Sequence, residues 1–332
     1  MPDQRYLVAG LGEVLWDVFP EGKQLGGAPA NFAYISTLLG NHGVVASRIG
    51  EDELGREALR QLEARSLDCY YIQRDSEHPT GTVNVTVDPR GIPSYEISEP
   101  VAWDSLEWTD KWRELAAKVD AVCFGSLAQR SERSRQTIQK FVKNTRADAL
   151  SVFDVNLRQS FYSAEILSAS CELADVVKMN EEEFPSVLRL LGLPTADVAA
   201  NPAQAKRVQA NLTQANHDQA DLDQSIRQFC ERFNLKLVCI TRGQAGSLLV
   251  TQNLSHSHSG VTVKVADTVG AGDAFTAGLV YEYLRSKSLD TESMARMNET
   301  ANRMGAWVAS QAGGMPENKG ASGPLSHLQT DR

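Results

Sequence analysis

The chain has 332 residues, 42% of them hydrophobic and 23% charged, which suits one large α/β domain or two ordinary globular domains. Its 33 Lys and Arg residues against 42 Asp and Glu residues give a formal net charge of −9. This acidic balance, without a block of Lys or Arg, argues against binding to nucleic acid or to an anionic membrane surface, and no apolar run reaches the length of a membrane span.

The first third of the chain predicts buried strands, helices and one hairpin. In chain order these are a strand over 6–11, an extended stretch over 14–19, a helix from Ala28-Pro29 to Gly40, a strand over 44–49, a helix over 52–65, and hairpin strands over 82–87 and 94–97. The first helix is placed by a proline at an early helical position and a glycine at its end. The hairpin alternates apolar and polar residues around the turn Asp88-Pro89-Arg90-Gly91, which indicates one wet face.

From residue 119 onward, strands and helices alternate. The strands are predicted over 121–124, 150–154, 176–179 and 237–241, and the helices near 131–144, 163–172, 181–191, 221–233 and after Asp273. This alternation predicts a mostly parallel sheet with helices on both faces. The segment 195–220, rich in Ala, Gln and Asn, is interpreted as a surface insertion without chemistry of its own.

The cysteines and histidines indicate neither a disulfide framework nor a metal site. The five cysteines are scattered and form no CxxC pair, which is typical of reduced thiols, most of them in the core. The pair His256-Ser-His258 is interpreted as a loop and not as a zinc site. With no signal peptide apparent at the amino end, we expect a cytoplasmic protein.

Several well-known nucleotide-binding motifs are incomplete or absent in this sequence. Gly10-x-Gly12 follows a strand, but the third glycine of a dinucleotide fingerprint is missing and no helix is predicted after it. Neither a P-loop nor the H-R-D motif of protein kinases occurs. Instead, the stretch ADTVGAGDAFTAG, Ala266–Gly278, runs glycine-rich backbone into a helix start, which is suited to hold an anion such as phosphate.

Further motifs stand at a helix start or at strand ends, where open α/β sheets bind ligands. They are LGGAPANFA (25–33), FDVNLR (153–158), KMNEEE (178–183) and ITRGQAGS (240–247). Taken singly, GAGD could be a tight turn, NEEE a charged first turn of a helix and Arg158 a surface residue. Their joint occurrence favours one shared site.

Together with DTVGAGD, these motifs resemble the ribokinase-like sugar kinases of the PfkB family over about residues 6–316, and the run GEVLWDVFPEGKQLGGAPANFA is most similar to fructokinases. The resemblance implies a single domain over 1–332 with a three-layer α/β/α fold, a mostly parallel central sheet and a small β lid. The lid would comprise the hairpin 82–97 with part of 14–25. The implied activity is ATP-dependent transfer of the γ-phosphoryl group to a sugar hydroxyl.

The resemblance also implies roles for individual residues. Asp273 would accept the proton of the sugar hydroxyl, and the backbone N–H groups of Gly270, Ala271 and Gly272 would form an anion hole. At a helix amino end, Asp273 is expected to be acidic and hence a weak base. The other assignments are Asp17, Gly27, Asn31 and Arg158 for the sugar; Asn180 and Glu183 for Mg²⁺, partly through water; Thr241, Gly243, Gly246 and Asn302 for the nucleotide; and Asp267, Val269 and Gly313 for a monovalent cation such as K⁺.

The charges in the sugar motifs indicate the class of substrate. Arg158 is their single cation, Lys23 being interpreted as a solvated turn residue, whereas Asp17 and Asp273 are anions. Carboxylates accept hydrogen bonds from hydroxyl groups and repel phosphate, so we expect a neutral hexose, fructose first, phosphorylated on a primary hydroxyl. Open alternatives are a kinase for ketodeoxygluconate, whose carboxylate Arg158 could bind, for ribose or for a nucleoside, and a catalytically silent sugar-binding regulator.

A homodimer is expected as well. The prediction comes from the hairpin over 82–97, because two half-wet strands are too few to be stable alone and would gain by pairing with a second copy.

Overall fold

The computed structural model describes residues 4–20, 22–87, 93–194 and 212–317, which contain thirteen strands and nine α-helices. The strands are β1 (Leu7–Leu11), β2 (Leu15–Phe19), β3 (Gly22–Gly26), β4 (His42–Gly50), β5 (Ile72–Asp75), β6 (Gly81–Val87), β7 (Pro93–Ile97), β8 (Ala121–Gly125), β9 (Leu150–Asp154), β10 (Val176–Asn180), β11 (Leu237–Thr241), β12 (Ser247–Val250) and β13 (Ser255–His258). The helices are α1 (Ala28–Leu38), α2 (Glu53–Ala64), α3 (Asp110–Ala116), α4 (Glu132–Lys143), α5 (Ala164–Leu173), α6 (Glu183–Leu190), α7 (Leu212–Phe233), α8 (Ala271–Ser286) and α9 (Thr291–Ala309).

Nine strands form the central sheet, in the order β13-β12-β11-β10-β9-β8-β1-β4-β5. The strands from β11 to β5 are parallel, and β12 and β13 add two antiparallel strands at one edge. Strand β9 is buried along its whole length, as expected of a parallel strand covered on both faces. Alternate residues of β1 enter opposite cores: Ala9 joins a core with Trp112 and Phe229, whereas Val8 joins one with Phe275. The predicted three-layer α/β/α fold is confirmed.

A separate four-stranded sheet has the order β3-β2-β6-β7. Strands β6 and β7 are the predicted hairpin, and Val83, Val85 and Ile97 form its buried face. Strand β2 pairs in parallel with β6, and β3 pairs in antiparallel fashion with β2. The homodimer was predicted on the premise that the hairpin has only two strands. That premise is wrong, because β2 and β3 extend the hairpin to a four-stranded sheet. The homodimer itself stays a prediction, as does the lid function of this sheet; the predicted turn at 88–91 lies outside the described residues.

Strand β3 was not expected. Residues 22–24 belong to the EGKQ segment (21–24), for which a turn is predicted, yet residues 22–26 pair with β2 along their whole length. Within β3, Lys23 forms an ion pair with Glu57 (2.6 Å) and lies 5.0 Å from the ring centroid of Trp16. Lys23 is exposed, as predicted, but the turn assigned to it is wrong, because residues 22–26 pair with β2 as a strand.

The histidine segment is also a strand and not a loop. Ser255–His258 forms β13, and His256 and His258 hydrogen-bond Asn298 and Glu299 of α9. Among the described residues no group of three or more His, Cys, Asp or Glu side chains could hold a metal ion. All five cysteines are free, and four of them are buried.

The helix predicted over 221–233 begins earlier, at Leu212. The predicted insertion over 195–220 therefore overlaps the start of α7, and its residues 195–211 lie outside the described residues. Within the described ranges, no helix is both long enough and apolar enough to cross a membrane.

Candidate active site

A cavity of about 750 Å³ lies at the carboxyl ends of the central parallel strands, beneath the small sheet. Its size is typical of a ligand site, and its position is the one at which open α/β sheets bind ligands. All four residues predicted for the sugar line it, as do Gly270, Gly272 and Asp273. The tertiary structure thus brings together motifs from both ends of the sequence; the hydrogen-bonded pair Asn31 and Asp273 spans 242 positions.

Asp273 lies in the first turn of α8, and its side chain contacts α1. The Nδ2 group of Asn31 donates a hydrogen bond to Oδ2 of Asp273 at 2.8 Å. Burial and the charge of Asp154 raise the pKa of Asp273 to about 6, although Asn31, Lys178 and Arg158 act in the opposite direction. The expectation of an unusually acidic carboxyl is wrong, because burial outweighs the helix dipole.

The glycine loop turns sharply before α8. Gly270 has a φ of 76°, and a Cβ there would lie 2.3 Å from the Cα of Gly314, so that a side chain is excluded on both counts. Gly270 and Gly272 line the cavity, but the N–H of Ala271 donates to the carbonyl of Thr268 at 3.3 Å. The N–H of Ala271 thus closes the turn in this structure, and its contribution to the anion hole stays a prediction.

A buried ion pair stands beside the glycine loop, and the sequence reasoning missed it. The Nζ of Lys178 is 3.0 Å from both carboxylate oxygens of Asp154, and Thr276 also donates to Asp154. A Cβ on Gly272 would lie 2.8 Å from the same Nζ, so the ammonium is next to the predicted phosphate site. The sequence did contain a signal for this pair, because Lys178 stands in an otherwise apolar strand. A lysine in such a strand is almost never buried unless it is paired with an acidic group.

The four predicted sugar residues converge from β2, from the start of α1 and, for Arg158, from the loop after β9. Asp17 extends from β2, and burial, with a smaller effect of Asp267, raises its pKa to about 6 against the opposing charge of Arg158. Gly27 precedes α1 with a φ of 112°. The amide of Asn31 is bonded to Asp273 and so orients that carboxyl as well as lining the cavity.

A further carboxyl group, that of Glu13, lines the same cavity and was not predicted. It follows β1 at the carboxyl end of a central strand, where its position could have identified it.

The residues predicted for Mg²⁺ hold each other at the start of α6. Oδ1 of Asn180 accepts hydrogen bonds from the N–H groups of Glu182 and Glu183. The carboxylate of Glu183 accepts from the N–H of Asn180 at 2.8 Å and from that of Leu157 at 2.8 Å. This is a reciprocal capping arrangement, and with every oxygen already accepting a bond it suits contact with a cation through water better than direct ligation.

The residues predicted for a monovalent cation join two loops. The carboxylate of Asp267 accepts from the N–H of Val269 and from the N–H of Gly313, both at 3.0 Å. The two loops that carry the predicted cation ligands are thereby held together, and the cation site stays a prediction.

The nucleotide residues separate into two groups. Thr241 ends β11, and Gly243 and Gly246 form the tight turn before β12; a Cβ on Gly246 would lie 2.0 Å from the carbonyl oxygen of His258. Next to this turn is a cleft of about 390 Å³ between residues 258–263 and α9. Asn302 faces away from the cleft, because its amide donates to Ser247 at 2.7 Å.

The residues of α9 that line the cleft are Glu299, Arg303, Ala306 and Trp307, and Ser310 follows just after the helix. His258 and Arg303 both contact the carboxylate of Glu299, which ties the end of β13 to α9. Asn302, which was predicted to lie near the adenine, is thus adjacent in sequence to the cleft-lining Arg303 but does not itself line the cleft.

Comparisons with known proteins agree along almost the whole chain. The profile described as pfkB family carbohydrate kinase matches residues 11–319. A fructokinase of Escherichia coli is 30% identical over 323 residues, which cover 92% of this chain and 94% of that protein. The structure of a fructokinase double mutant from Vibrio cholerae O395 in fructose, ADP and potassium ion bound form has a TM-score of 0.74 at 26% identity, covering 95% of this chain and 96% of the other. An uncharacterized sugar kinase from Pyrococcus horikoshii in complex with ATP has a TM-score of 0.72 at 25% identity, covering 94% and 95%.

Proposed function

The chain belongs to the pfkB family of carbohydrate kinases, and on that premise we propose that it transfers the γ-phosphoryl group of ATP to a primary hydroxyl of a neutral hexose, most readily fructose. The observation that carries the choice of sugar is the charge of the cavity wall. Its acidic side chains are Glu13, Asp17, Asp267 and Asp273, and its basic side chains are Arg158 and Lys178.

The two cations are not equally available to a substrate. Lys178 is paired with Asp154, whereas Arg158 has no hydrogen-bonded partner within the described part of the chain. A sugar phosphate or a keto acid would have to bind this wall with one arginine against several carboxyl groups. The hydroxyl groups of a neutral sugar can donate to each of them.

The mechanism follows from the same geometry. With a pKa near 6, Asp273 is mostly ionised at neutral pH and can accept the proton of the attacking hydroxyl, while Asn31 holds it in orientation. The N–H groups of Gly270 and Gly272, at the amino end of α8, face the position of the transferring phosphoryl group. The ammonium of Lys178 adds positive charge beside Gly272. Positioning and charge stabilisation of this kind account for most of the catalysis of phosphoryl transfer.

ATP would bind across the tight turn before β12 and the cleft beside α9, with its adenine against the helix face of Glu299 and Arg303. The ATP and ADP bound in the related structures support an adenine nucleotide as the ligand. Asn180 and Glu183 would hold Mg²⁺ through water, and the ion would neutralise charge on the phosphates. The loops joined by Asp267 would hold K⁺, in keeping with the potassium ion bound form of the Vibrio cholerae fructokinase.

The small sheet would act as the lid of the sugar site. Val83, Tyr95 and Ile97 line the cavity from this side, and Nε2 of Gln159 donates to the carbonyl of Tyr95 at 2.6 Å. This bond ties the sheet to the loop that carries Arg158. Closure would exclude water from the reacting phosphate.

A screen of ADP release with fructose, ketodeoxygluconate, ribose, a nucleoside and fructose 6-phosphate tests the proposal. We expect the highest kcat/KM with fructose. A tenfold preference for ketodeoxygluconate, equal to about 1.4 kcal/mol in transition-state binding, would replace fructose with the acid that Arg158 can bind. Saturable sugar binding without ADP release in the presence of ATP would identify a silent regulator.

A further inference from the structure

Glu13 occupies a rigid position at the carboxyl end of β1. It is 3% exposed, and a Cβ on Gly27 would lie 2.5 Å from its carbonyl oxygen, so the two backbone segments are in close contact. Glu13 lines the sugar cavity and also a second, small cavity of about 10 Å³, which Asp154 and Asp273 line as well. The second cavity has room for no more than about one water molecule.

One oxygen of this carboxyl group has no hydrogen-bond partner. Oε2 of Glu13 is buried, and nothing in the described part of the chain donates to it or accepts from it. Leaving a buried polar atom unpaired costs about 1–3 kcal/mol, and such atoms in native proteins are usually completed by a ligand, a water or a catalytic role. In the wall of a sugar site, the hydroxyl group of a sugar is the natural partner.

The surroundings of Glu13 disfavour its ionised form. Burial and the charge of Asp273 raise its pKa from the ordinary value of 4.5 to about 7, although the backbone N–H groups of Glu13 and Ala28 and the charge of Arg158, in the loop after β9, act in the opposite direction. Asp154 adds a second carboxylate across the small cavity and is itself paired with Lys178, while the thiol of Cys123 adds no charge because burial raises its pKa. A neutral carboxyl group has one O–H donor and free acceptor positions, the same combination that a hydroxyl group offers.

We propose that Glu13 binds the acceptor sugar as a neutral carboxylic acid, donating a hydrogen bond to a hydroxyl group held beside Asp273. This inference rests on the sugar-kinase function proposed above and adds a residue to its sugar site. Ionisation of Glu13 removes the donor and places a second negative charge next to Asp273 and the transferring phosphoryl group. Activity therefore requires Asp273 to be ionised and Glu13 to be protonated.

Two variants separate hydrogen bonding from packing. Glu13→Gln keeps the shape, the donor and the acceptor but does not titrate, whereas Glu13→Met keeps the length without hydrogen bonds. We expect wild-type kcat/KM for fructose to fall above about pH 7, where Glu13 ionises, and expect this fall to move up by at least about one pH unit in Glu13→Gln. Glu13→Met should raise KM for fructose at least about tenfold with KM for ATP nearly unchanged. The proposal would be overturned if kcat/KM of Glu13→Gln fell at the same alkaline pH as that of the wild type. It would also be overturned if Glu13→Met had the same KM for fructose as the wild type.

A thermal melt without sugar tests the neutral state of Glu13 separately from turnover. Because the folded pKa lies above the unfolded one, the folded state binds the extra proton, and Glu13 lowers the free energy of unfolding as the pH rises from 4.5 through about 7. Relative to Glu13→Gln, the wild type should lose Tm between pH 5 and pH 8. A constant difference in Tm would mean that Glu13 is ionised throughout and would refute the inference. Absence of ADP release with every sugar would instead refute the proposed function, whatever the melts show.

Discussion

Two opposing effects act on the carboxyl group of Asp273. The amino end of α8 and the hydrogen bond from Asn31 favour its ionised form, whereas burial and the charge of Asp154 favour the protonated form. Burial and the charge of Asp154 dominate, and they raise the pKa of Asp273 to about 6. A general base works best when its pKa lies near the operating pH, because it is then both ionised and able to hold the proton.

We predict that Asp273→Asn lowers kcat by about 10²–10⁴-fold with little change in sugar binding, as for loss of a positioned base. In the wild type, kcat/KM should rise with pH through about 6 as Asp273 ionises. Asn31→Ala removes a hydrogen bond that lowers this pKa, so it should move the acid limb to higher pH. Turnover of Asp273→Asn within about threefold of wild type would remove the residue from the role of base.

The ion pair of Lys178 and Asp154 allows a stability role to be separated from a catalytic one. Lys178→Met leaves a buried carboxylate without its partner, which should lower the free energy of unfolding by about 3–5 kcal/mol. The double variant Asp154→Asn/Lys178→Met removes both charges and should recover most of that loss. Both variants lack the ammonium beside Gly272, so both should lose about 10²-fold in kcat.

Denaturant unfolding and steady-state kinetics on the same two proteins test this prediction. A double variant that regains wild-type kcat along with its stability would show that Lys178 acts only in folding.

At the scale of elements, the start of α8 depends on the left-handed conformation of Gly270. Gly270→Ala combines the cost of a positive φ with a contact against Gly314, and a shift of this turn would displace the N–H groups of the anion hole. We predict a fall in kcat of at least about tenfold together with a lower Tm. Gly192→Ala is the matched control, because Gly192 has a φ of 65° with nothing within 4 Å of a Cβ and lies after α6. Equal effects of the two substitutions on kcat would contradict a special role for the turn.

The sequence analysis missed four short strands, β3, β5, β12 and β13, and two helices, α3 and the 19-residue α9. Strand β13 has no apolar residue in SHSH, so no period-two pattern marks it; it forms because β12 supplies the backbone partners and α9 covers it. The sequence of strand β3 similarly predicts a turn, and the strand forms because β2 supplies its backbone partners. The buried parallel strands, by contrast, were predicted to within a few residues, since their apolar runs are set by coverage on both faces.

At the scale of the whole molecule, the small sheet has two free edges, β3 and β7, within the described part of the chain. Edge strands present unpaired backbone groups, and Tyr95 of β7 is 56% exposed. We predict that two copies associate through this sheet, and light scattering over a concentration series should give twice the 36.3 kDa of one chain. A mass of one chain throughout the micromolar range would contradict the dimer.

The fold class and the glycine turn before Asp273 follow from the amino-acid sequence alone. Alternating buried strands and helices specify a covered parallel sheet, and the glycines before Asp273 specify a turn that few other residues can adopt. The sequence alone did not determine the electrostatics of the site. The pKa of Asp273, the burial of Lys178 and the unpaired oxygen of Glu13 depend on groups brought together from distant parts of the chain. Charge interactions depend on distance and on burial, and only the tertiary structure decides either.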